Sequence, residues 1–204
     1  VEKCDVRSLS GLLRKHVRCD IMEIIKQVLT DAMVLKPRIF EDDRGYFYES
    51  FNENRFNAVI GKEYRFVQDN QSFSSKGTLR GLHFQKGTAA QSKLVRVVKG
   101  AAYDVAVDLR PDSPTFKQWY GVELSESNYL QFLIPRGFAH AFVALEDDTI
   151  FQYKVDNYYS SEHDGGIIWN DEELNIEWPN LSLELSEKDK QLPKLNQLNL
   201  NILW

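Results

Sequence analysis

The sequence predicts an all-β domain of the sandwich or jelly-roll type, with a few short helices. From Phe40 onward, short apolar or alternating runs are separated by Gly, Pro, Asn and Asp, and few stretches have a helical period. The predicted strands recur about every ten residues, as in sandwiches and jelly rolls. The chain contains no internal repeat and no low-complexity linker, so we expect a single domain.

The clearest strand covers residues 103–109. Tyr103, Val105, Val107 and Leu109 share one face of it, and Asp104 and Asp108 share the opposite face. A proline-containing turn at 110–114 ends this strand. Further strands are predicted at residues 93–99 (closed by Gly100), 119–124, 129–134 and 149–155.

Two short segments have helical character. Residues 53–60 are predicted to form a helix. Residues 186–190 resemble a capped helical turn that begins at Ser186 and is stopped by Pro193. Helices are therefore expected to be a minor part of the fold.

Composition and charge exclude several classes of protein. The 204 residues carry 30 acidic and 25 basic side chains, and we find no basic stripe of the kind that binds nucleic acid. The longest apolar runs fall far short of the ~18 residues that a membrane span needs. We therefore expect a soluble, cytoplasmic protein with neither a nucleic-acid nor a membrane partner.

The first 21 residues differ from the rest of the chain. They contain both cysteines, Cys4 and Cys19, and they lack the apolar core of a secretory signal. Two cysteines in one short segment cannot staple a distant core, so a disulfide framework is not expected. We interpret residues 1–21 as an N-terminal extension, with Met22 as a plausible natural start and residues 22–204 as the domain.

Four stretches concentrate residue types that carry chemistry, and we expect them at strand ends and in loops: residues 43–45, 68–72, 79–85 and 135–140. The last contains Pro135, Gly137 and His140 in a Pro-x-Gly-x-x-His pattern that resembles the second motif of the cupin superfamily. His83 falls where the first cupin motif has its leading histidine.

The cupin resemblance does not bring a full set of metal ligands. Gln85 stands at the position of the second histidine, and no glutamate follows before Gly100. Two imidazoles are fewer than the three protein ligands usual at a catalytic metal. We therefore expect no metal and no other cofactor. A metal-dependent cupin oxygenase and a catalytically silent sugar-binding barrel remain as alternatives.

Without a metal, the remaining side chains suit proton transfer on an anionic substrate that bears a carbonyl group. Considered without the other motifs, His83 is better explained as a structural histidine on a strand than as a catalytic one. Lys93, at the start of a predicted strand, is either a solvated side chain or a group that stabilises an oxyanion. The residues alone favour the solvated interpretation, because lysine is seldom buried.

A more specific resemblance comes from six segments that follow one another in a fixed order. They cover the chain from Met22 to about Pro193 and resemble the dTDP-4-dehydrorhamnose 3,5-epimerase family of the cupin superfamily. The segments are FEDDRGYFYES (40–50), QDN (68–70), LRGLH (79–83), KLVRV (93–97), IPRGFAH (134–140) and YK (153–154).

The resemblance implies a jelly-roll homodimer with shared active sites that works without a metal. Its implied substrate is dTDP-4-dehydro-6-deoxy-D-glucose, inverted at C3 and C5 to dTDP-4-dehydro-L-rhamnose during dTDP-L-rhamnose biosynthesis for cell-surface polysaccharide. Carbons 3 and 5 flank the C4 ketone, so loss of either proton gives an enolate. An epimerase that inverts only one centre of another nucleotide deoxysugar remains an alternative.

The resemblance also implies catalytic roles for individual residues. His83 would be the base, and Asp189 would hold its tautomer and stabilise its charged form. Lys93 would stabilise the enolate oxygen. Tyr153 would donate a proton from the opposite face.

The remaining matched residues are implied to bind the nucleotide sugar. Three basic side chains would pair with the diphosphate: Arg44, Arg80 and His140. Three polar side chains would supply hydrogen bonds: Glu49, Gln68 and Asn70. Glu162 and Lys188 also match positions that bind the substrate in the family.

Aromatic side chains are implied to stack on thymine. They are Phe40 and one of Tyr158 and Tyr159, and Phe40 and Arg44 would reach the site of the neighbouring subunit. Simpler interpretations exist for each: Phe40 as a core residue, Arg44 as part of a turn, and the tyrosine pair as an amphipathic strand end.

Overall fold

The computed structural model of the protein describes residues 21–200. Cys4 and Cys19, and with them nearly all of the expected N-terminal extension, lie outside the described residues. The strands in chain order are β1 (Met22–Val28), β2 (Ala32–Pro37), β3 (Phe40–Asp42), β4 (Gly45–Phe47), β5 (Gln68–Ser74), β6 (Leu79–Gln85), β7 (Lys93–Lys99), β8 (Ala101–Asp108), β9 (Trp119–Ser125), β10 (Gln131–Ile134), β11 (Phe138–Ala144), β12 (Thr149–Val155) and β13 (Asp164–Gly166). The α-helices are α1 (Glu53–Ile60) and α2 (Glu187–Lys190), and 3₁₀ turns occur at Gly87–Ala89, Ser161–His163 and Leu195–Gln197.

Most strands belong to two sheets with antiparallel pairing. The larger sheet has the spatial order β1-β2-β10-β7-β12-β5, and the smaller has the order β13-β6-β11-β8-β9. Strands that are consecutive in the chain therefore often lie in different sheets, as in a jelly roll. Among the described strands, β3 and β4 pair only with each other and form a separate hairpin.

The space between the two sheets is filled by large apolar side chains. Phe132, Phe151 and Val95 from the larger sheet pack with Phe138 and Phe142 from the smaller one. The rings of Phe142 and Phe151 stack across the gap with their centroids 4.0 Å apart. Burying a side chain of this size stabilises the fold by about 1.5–3 kcal/mol.

Two further clusters cover the outer faces of the sheets. Val105 and Leu109 turn away from the interior and pack against Ile167 and Leu195 of the C-terminal region. On the other side, Phe56 of α1 packs with Leu94 and Leu133 on the outer face of the larger sheet. The residues of β8 are consequently buried on both faces.

The structure confirms an all-β jelly roll and most of the predicted elements. β7, β12 and α1 have the predicted limits, β8, β9 and β10 differ by one or two residues at their ends, and Ser186 caps α2 as predicted. The expectation that residues 68–72 and 79–85 lie at strand ends and in loops was wrong, since they form β5 and β6. β5 was missed because its inward side chains, at Gln68, Asn70 and Ser72, are polar and give no apolar alternation.

Among residues 21–200, no helix has the length and apolar character that crossing a membrane requires.

Candidate active site

The site is built around a hydrogen bond between His83 and Asp189. His83 lies on β6 opposite His140 of β11, which places both imidazoles on the inner face of the smaller sheet. Asp189 lies on α2, and its Oδ1 is 2.6 Å from His83 Nε2. The His83 side chain is 34% exposed, whereas that of Asp189 is 5% exposed. The buried carboxylate of Asp189 therefore contacts one side of the His83 imidazole, and the rest of this ring is accessible to a substrate.

The hydrogen bonds of Asp189 determine which ring nitrogen of His83 is free. Burial alone raises the pKa of Asp189, but hydrogen bonds from His83, Ser186 and the backbone of Gly81 outweigh it and hold this pKa below its usual range. The ionised carboxylate needs a donor, so His83 Nε2 carries the proton. Nδ1 forms no hydrogen bond with any described residue and is free to accept a proton.

Gly81 allows this arrangement because it lies at an irregularity in the antiparallel pairing of β6 with β11. Its φ is +124°, and a Cβ at this position would lie 2.6 Å from both the carbonyl oxygen of His140 and the Cβ of Ala141. The register between the two strands also shifts between His140 and Phe142. A residue with a side chain would push β6 away from β11 and displace His83.

Tyr153 faces the site from the larger sheet. It is paired with Val95 of β7 and Asn70 of β5, and it packs against the core beside Phe151. Burial raises the pKa of the Tyr153 phenol, the charge of Asp164 raises it further, and Arg80 acts in the opposite direction. The phenol therefore stays protonated at neutral pH, and within residues 21–200 its hydroxyl has no hydrogen-bond partner.

Lys93 also enters the site from the larger sheet, and the solvated interpretation of this residue was wrong. The side chain is half-buried, and its ammonium lies 5.9 Å from the centre of the Tyr153 ring. Desolvation lowers the pKa of Lys93 to about 8, although the charges of Asp104 and Asp164 oppose this shift. Its three N–H donors bind none of the described residues and are available to a substrate.

His140 is more deeply placed than a residue expected to bind diphosphate. Its side chain is 7% exposed, and its Nε2 lies 2.8 Å from Oδ2 of the fully buried Asp104. Burial lowers the pKa of His140, and the nearby charges of Lys93 and His83 act in the same direction against that of Asp104. The neutral ring thus donates its Nε2 proton to Asp104.

Arg80, Gln68 and Asn70 lie on β6 and β5, close to Tyr153. The exposed Arg80 donates from Nε to Ser74 Oγ at 3.2 Å, and its charge reaches Tyr153. Gln68 donates to Asn70 Oδ1 at 2.9 Å and accepts from the backbone N–H of Tyr159 at 3.3 Å. The structure therefore brings these three predicted binding residues beside the catalytic candidates.

Asp164 connects the segments that follow β12 with β6 and α2 through hydrogen bonds. Its carboxylate accepts hydrogen bonds from Lys188 and from Gln85 Nε2, the latter at 3.0 Å. Gln85 Oε1 in turn accepts from the backbone N–H of Ser160 at 2.9 Å. The predicted binding residues Tyr158, Tyr159 and Glu162 are exposed on this segment.

Gln85, which stands at the second cupin histidine position, thus has both ends of its amide engaged by protein groups. Nowhere in residues 21–200 do three His, Cys, Asp or Glu side chains gather in an arrangement that could hold a metal ion.

Phe40, Arg44 and Glu49 are not joined to this cluster. Phe40 and Arg44 are exposed on the β3–β4 hairpin, where Arg44 pairs with its neighbour Asp42, and Glu49 pairs with Arg55 at 3.1 Å. The segment after the hairpin is fixed to the outer face of the larger sheet, because Tyr48 accepts from Arg96 at 2.7 Å. Tyr48 and the adjoining Glu49 therefore lie on the far side of that sheet from His83, and the contacts of Phe40 and Arg44 within the described residues are with their neighbours Arg38 and Asp42.

Sequence reasoning missed three residues of the site. Asp104 had a signal, since it was placed on the polar face of its strand, but that face points into the interior. Gly81 was quoted within a motif without a role of its own. Asp164 had no signal, because its importance depends on its hydrogen bonds to Gln85 and Lys188, which lie in other parts of the chain.

The site and the fold match known proteins over most of the chain. Residues 26–197 match the family model described as dTDP-4-dehydrorhamnose 3,5-epimerase. The dTDP-4-dehydrorhamnose 3,5-epimerase of Escherichia coli K12 is 54% identical over 178 residues, which cover 87% of this chain and 96% of that protein.

Two solved structures with ligands extend this similarity to three dimensions. An enzyme of the same name from Bacillus anthracis, crystallised with TDP and PPi, is 55% identical with a TM-score of 0.83, covering 85% of this chain and 99% of its own. The dTDP-6-deoxy-D-glucose-3,5-epimerase of Legionella pneumophila, in complex with dTDP-4-keto-L-rhamnose, is 45% identical with a TM-score of 0.85. The match covers 89% of this chain and 97% of the Legionella chain.

Proposed function

The chain belongs to the dTDP-4-dehydrorhamnose 3,5-epimerase family and is an isomerase, and we propose that it inverts C3 and C5 of dTDP-4-dehydro-6-deoxy-D-glucose. The observation that carries this proposal is the arrangement of one proton acceptor and one proton donor on facing sheets. His83 belongs to the smaller sheet and Tyr153 to the larger. A substrate held between the sheets has one group on either side.

His83 begins the reaction at each centre. Its Nδ1 takes the proton from the carbon next to the C4 ketone, and the electron pair of the broken C–H bond forms a carbon–carbon double bond. The ketone oxygen then carries the negative charge of an enolate. Asp189, 2.6 Å from Nε2, stabilises the imidazolium that results.

Lys93 stabilises the enolate oxygen. Its ammonium points between the sheets without a hydrogen-bond partner among the described residues, and a positive charge placed there acts when the oxygen becomes negative. The pKa of about 8 leaves Lys93 mostly protonated at neutral pH. It also makes Lys93 able to return a proton to solvent or substrate more readily than an exposed lysine.

Tyr153 completes the inversion. Its phenol gives a proton to the same carbon from the opposite face, and the enolate returns to the ketone. The phenolate then regains a proton from solvent while the imidazolium of His83 releases its proton to solvent, so that both groups are restored for the second centre. The raised pKa of Tyr153 keeps the donor loaded before the step. A base and an acid on one side only would exchange the hydrogen without changing configuration.

Binding of the nucleotide part relies on local groups, because the chain as a whole has a formal net charge of −5. Arg80 has an exposed guanidinium suited to a bidentate phosphate contact. Gln68 and Asn70 offer amide groups beside it, and the exposed Tyr158 and Tyr159 are available to stack on thymine. His140 is held by Asp104 and lies deeper, so its role is closer to the sugar than to the diphosphate.

The protein acts as a homodimer in this proposal. The β3–β4 hairpin exposes Phe40, Tyr46 and Phe47, with Phe47 69% exposed, and it pairs with no other described strand. An apolar hairpin of this kind is costly to leave in water and suits insertion into a second copy of the chain. Phe40 and Arg44 then reach the neighbouring site, which explains their separation from His83 in the single chain.

Deuterium incorporation tests the function directly. The protein is incubated with dTDP-4-dehydro-6-deoxy-D-glucose in deuterated water, and carbons 3 and 5 are followed by NMR. The proposal requires deuterium at both carbons. Deuterium at one carbon only reduces the enzyme to a mono-epimerase, and absence of exchange contradicts the proposed function.

A further inference from the structure

Asp104 is a buried carboxylate that the proposed reaction does not yet use. It lies on the inner face of β8 between Ala102 and Ala106 and is completely buried. Its Oδ2 accepts the hydrogen bond from His140 Nε2, but its Oδ1 is buried and lacks a hydrogen-bond partner among the described residues. Such an atom is costly, and in a native protein it calls for an explanation.

A structural role for this carboxylate is better illustrated by Asp108, four residues further along the same face of β8. Asp108 is also completely buried, but both of its oxygens are used, by Arg110, Ser113 and Thr115. Its charge is thus neutralised locally by a guanidinium. Asp104 has no such partner, and a single bond to a neutral imidazole does not balance its charge.

The negative charge of Asp104 acts on the ammonium of Lys93, which enters the site from the larger sheet. Asp104 and Asp164 are the two carboxylates whose charges act on Lys93. His140 of β11 is hydrogen-bonded to Asp104 at 2.8 Å, and the charge of Lys93 also acts on its ring. The ring of Tyr153 from β12 completes the surroundings.

We propose that Asp104 is a positioning residue of the active site: its carboxylate fixes the His140 ring through Nε2 and supplies a negative charge that acts on the Lys93 ammonium. This inference rests on the proposed epimerase function. It assigns to Asp104 two tasks, which are to hold His140 in one tautomer and to keep Lys93 charged in a desolvated site until the enolate forms.

The Asp104→Asn variant separates the charge from the hydrogen bond. Asparagine has the same shape, and its Oδ1 still accepts from His140, so the ring stays in place. Without the carboxylate, desolvation and the remaining groups around Lys93 (Asp164, His140, His83 and Tyr153) act alone, and the pKa of Lys93 falls further. We expect kcat to fall by about 10- to 100-fold, which is the loss usual for a group that orients a metal-binding histidine by the same kind of hydrogen bond. The high-pH limb of the kcat profile should move to lower pH.

Asp108→Asn is the matched control, because it removes a buried carboxylate from the same face of the same strand. It should lower the melting temperature without moving the high-pH limb. A folded Asp104→Asn variant with the wild-type kcat and pH profile overturns the proposal. A lower kcat with an unmoved profile also overturns it, since that is the result of a purely structural role.

A second measurement needs no variant that might fail to fold. Nitrogen-15 NMR of the wild-type protein reports the tautomer of His140, which should be neutral with the proton on Nε2 at neutral pH. A proton on Nδ1 overturns the proposal. This readout does not involve turnover, and deuterium exchange by the wild type is measured first, so failure of the proposed function and failure of the role of Asp104 are distinguished.

Discussion

His83 Nε2 and Asp189 Oδ1 lie 2.6 Å apart, although the two residues are 106 positions apart in the chain. Helix α2 that carries Asp189 has a single turn, so its own propensity does not hold the carboxylate in place. Ser186 caps the helix, and the backbone of Gly81 on β6 also donates to Asp189. The catalytic pair therefore depends on contacts between β6 and the C-terminal region.

Asp189→Asn should reduce kcat by about 10²-fold or more, within the usual range of general acid–base contributions. Asparagine presents an acceptor and a donor but no charge, so it stabilises the imidazolium of His83 poorly. Steady-state kinetics of the coupled reaction measures the loss. Glu187→Gln, in the same helix but with an exposed side chain, is the control and should keep wild-type kcat. Equal kcat values for the two variants would show that Asp189 does not assist His83 as the base.

The pH dependence of kcat should show the loss of one proton near pH 8. Lys93 is charged below its pKa of about 8 and neutral above it, so stabilisation of the enolate is lost as the pH rises through this value. The raised pKa of Tyr153 excludes the phenol as the source of this limb. Lys93→Arg keeps the charge and should move the limb to higher pH at a reduced rate.

Lys99→Arg, in the same strand but paired with Asp148 at the surface, is the control for that profile. Its high-pH limb should coincide with that of the wild type. A limb that stays near pH 8 in Lys93→Arg would show that another group is responsible.

Gly81→Ala should impair both folding and catalysis. The added Cβ would lie 2.6 Å from the carbonyl oxygen of His140, so β6 must move at the residue pair that carries the two imidazoles. We expect a loss of about 1–3 kcal/mol in the free energy of unfolding, the usual cost of overpacking, together with a lower kcat. Chemical denaturation and kinetics measure the two effects.

Gly87→Ala serves as the control for Gly81→Ala. It also has a positive φ, +52°, but a Cβ there would meet no atom within 4 Å. It should lose stability through backbone strain alone and retain kcat. If Gly81→Ala behaves like Gly87→Ala, crowding between β6 and β11 does not matter.

Mixing two inactive variants should restore activity if the hairpin completes the site of a second subunit. Arg44→Ala removes the hairpin cation and His83→Ala removes the base, so a mixed dimer contains one site with both groups. After unfolding and refolding together, about a quarter of wild-type activity is expected for random pairing. Activity that remains at the level of the separate variants would contradict the exchange of hairpins.

Much of the fold could be predicted, because a strand is recognised from a short stretch of sequence. Its apolar residues alternate with others, and Gly or Pro marks its end. β7 and β12 were found with the correct limits for this reason. The same signals failed for β5 and β6, because the interior of the barrel is partly polar and its inward residues include Gln68, Asn70 and His83. Periodicity distinguishes the two faces of a strand but does not tell which face is buried.

The catalytic candidates were identified from the resemblance to a family. The groups that surround them in the fold were not predicted. Lys93 looked solvated from the sequence, because the groups that make an interior lysine tolerable, Asp104 and Asp164, come from β8 and β13. His140 was assigned to phosphate, whereas its bond to Asp104 depends on the pairing of β8 with β11. Such relationships are set by topology and cannot be deduced from spacing along the chain.

The central claim is that protons leave from one sheet and arrive from the other, and the Tyr153→Phe variant in deuterated water tests it most directly. Without the phenol, His83 can still remove a proton and return a deuteron to the same face. NMR should therefore find deuterium at C3 or C5 of the recovered starting sugar, while formation of the inverted sugar falls by about 10²-fold or more. Formation of the inverted sugar at close to the wild-type rate would contradict the account.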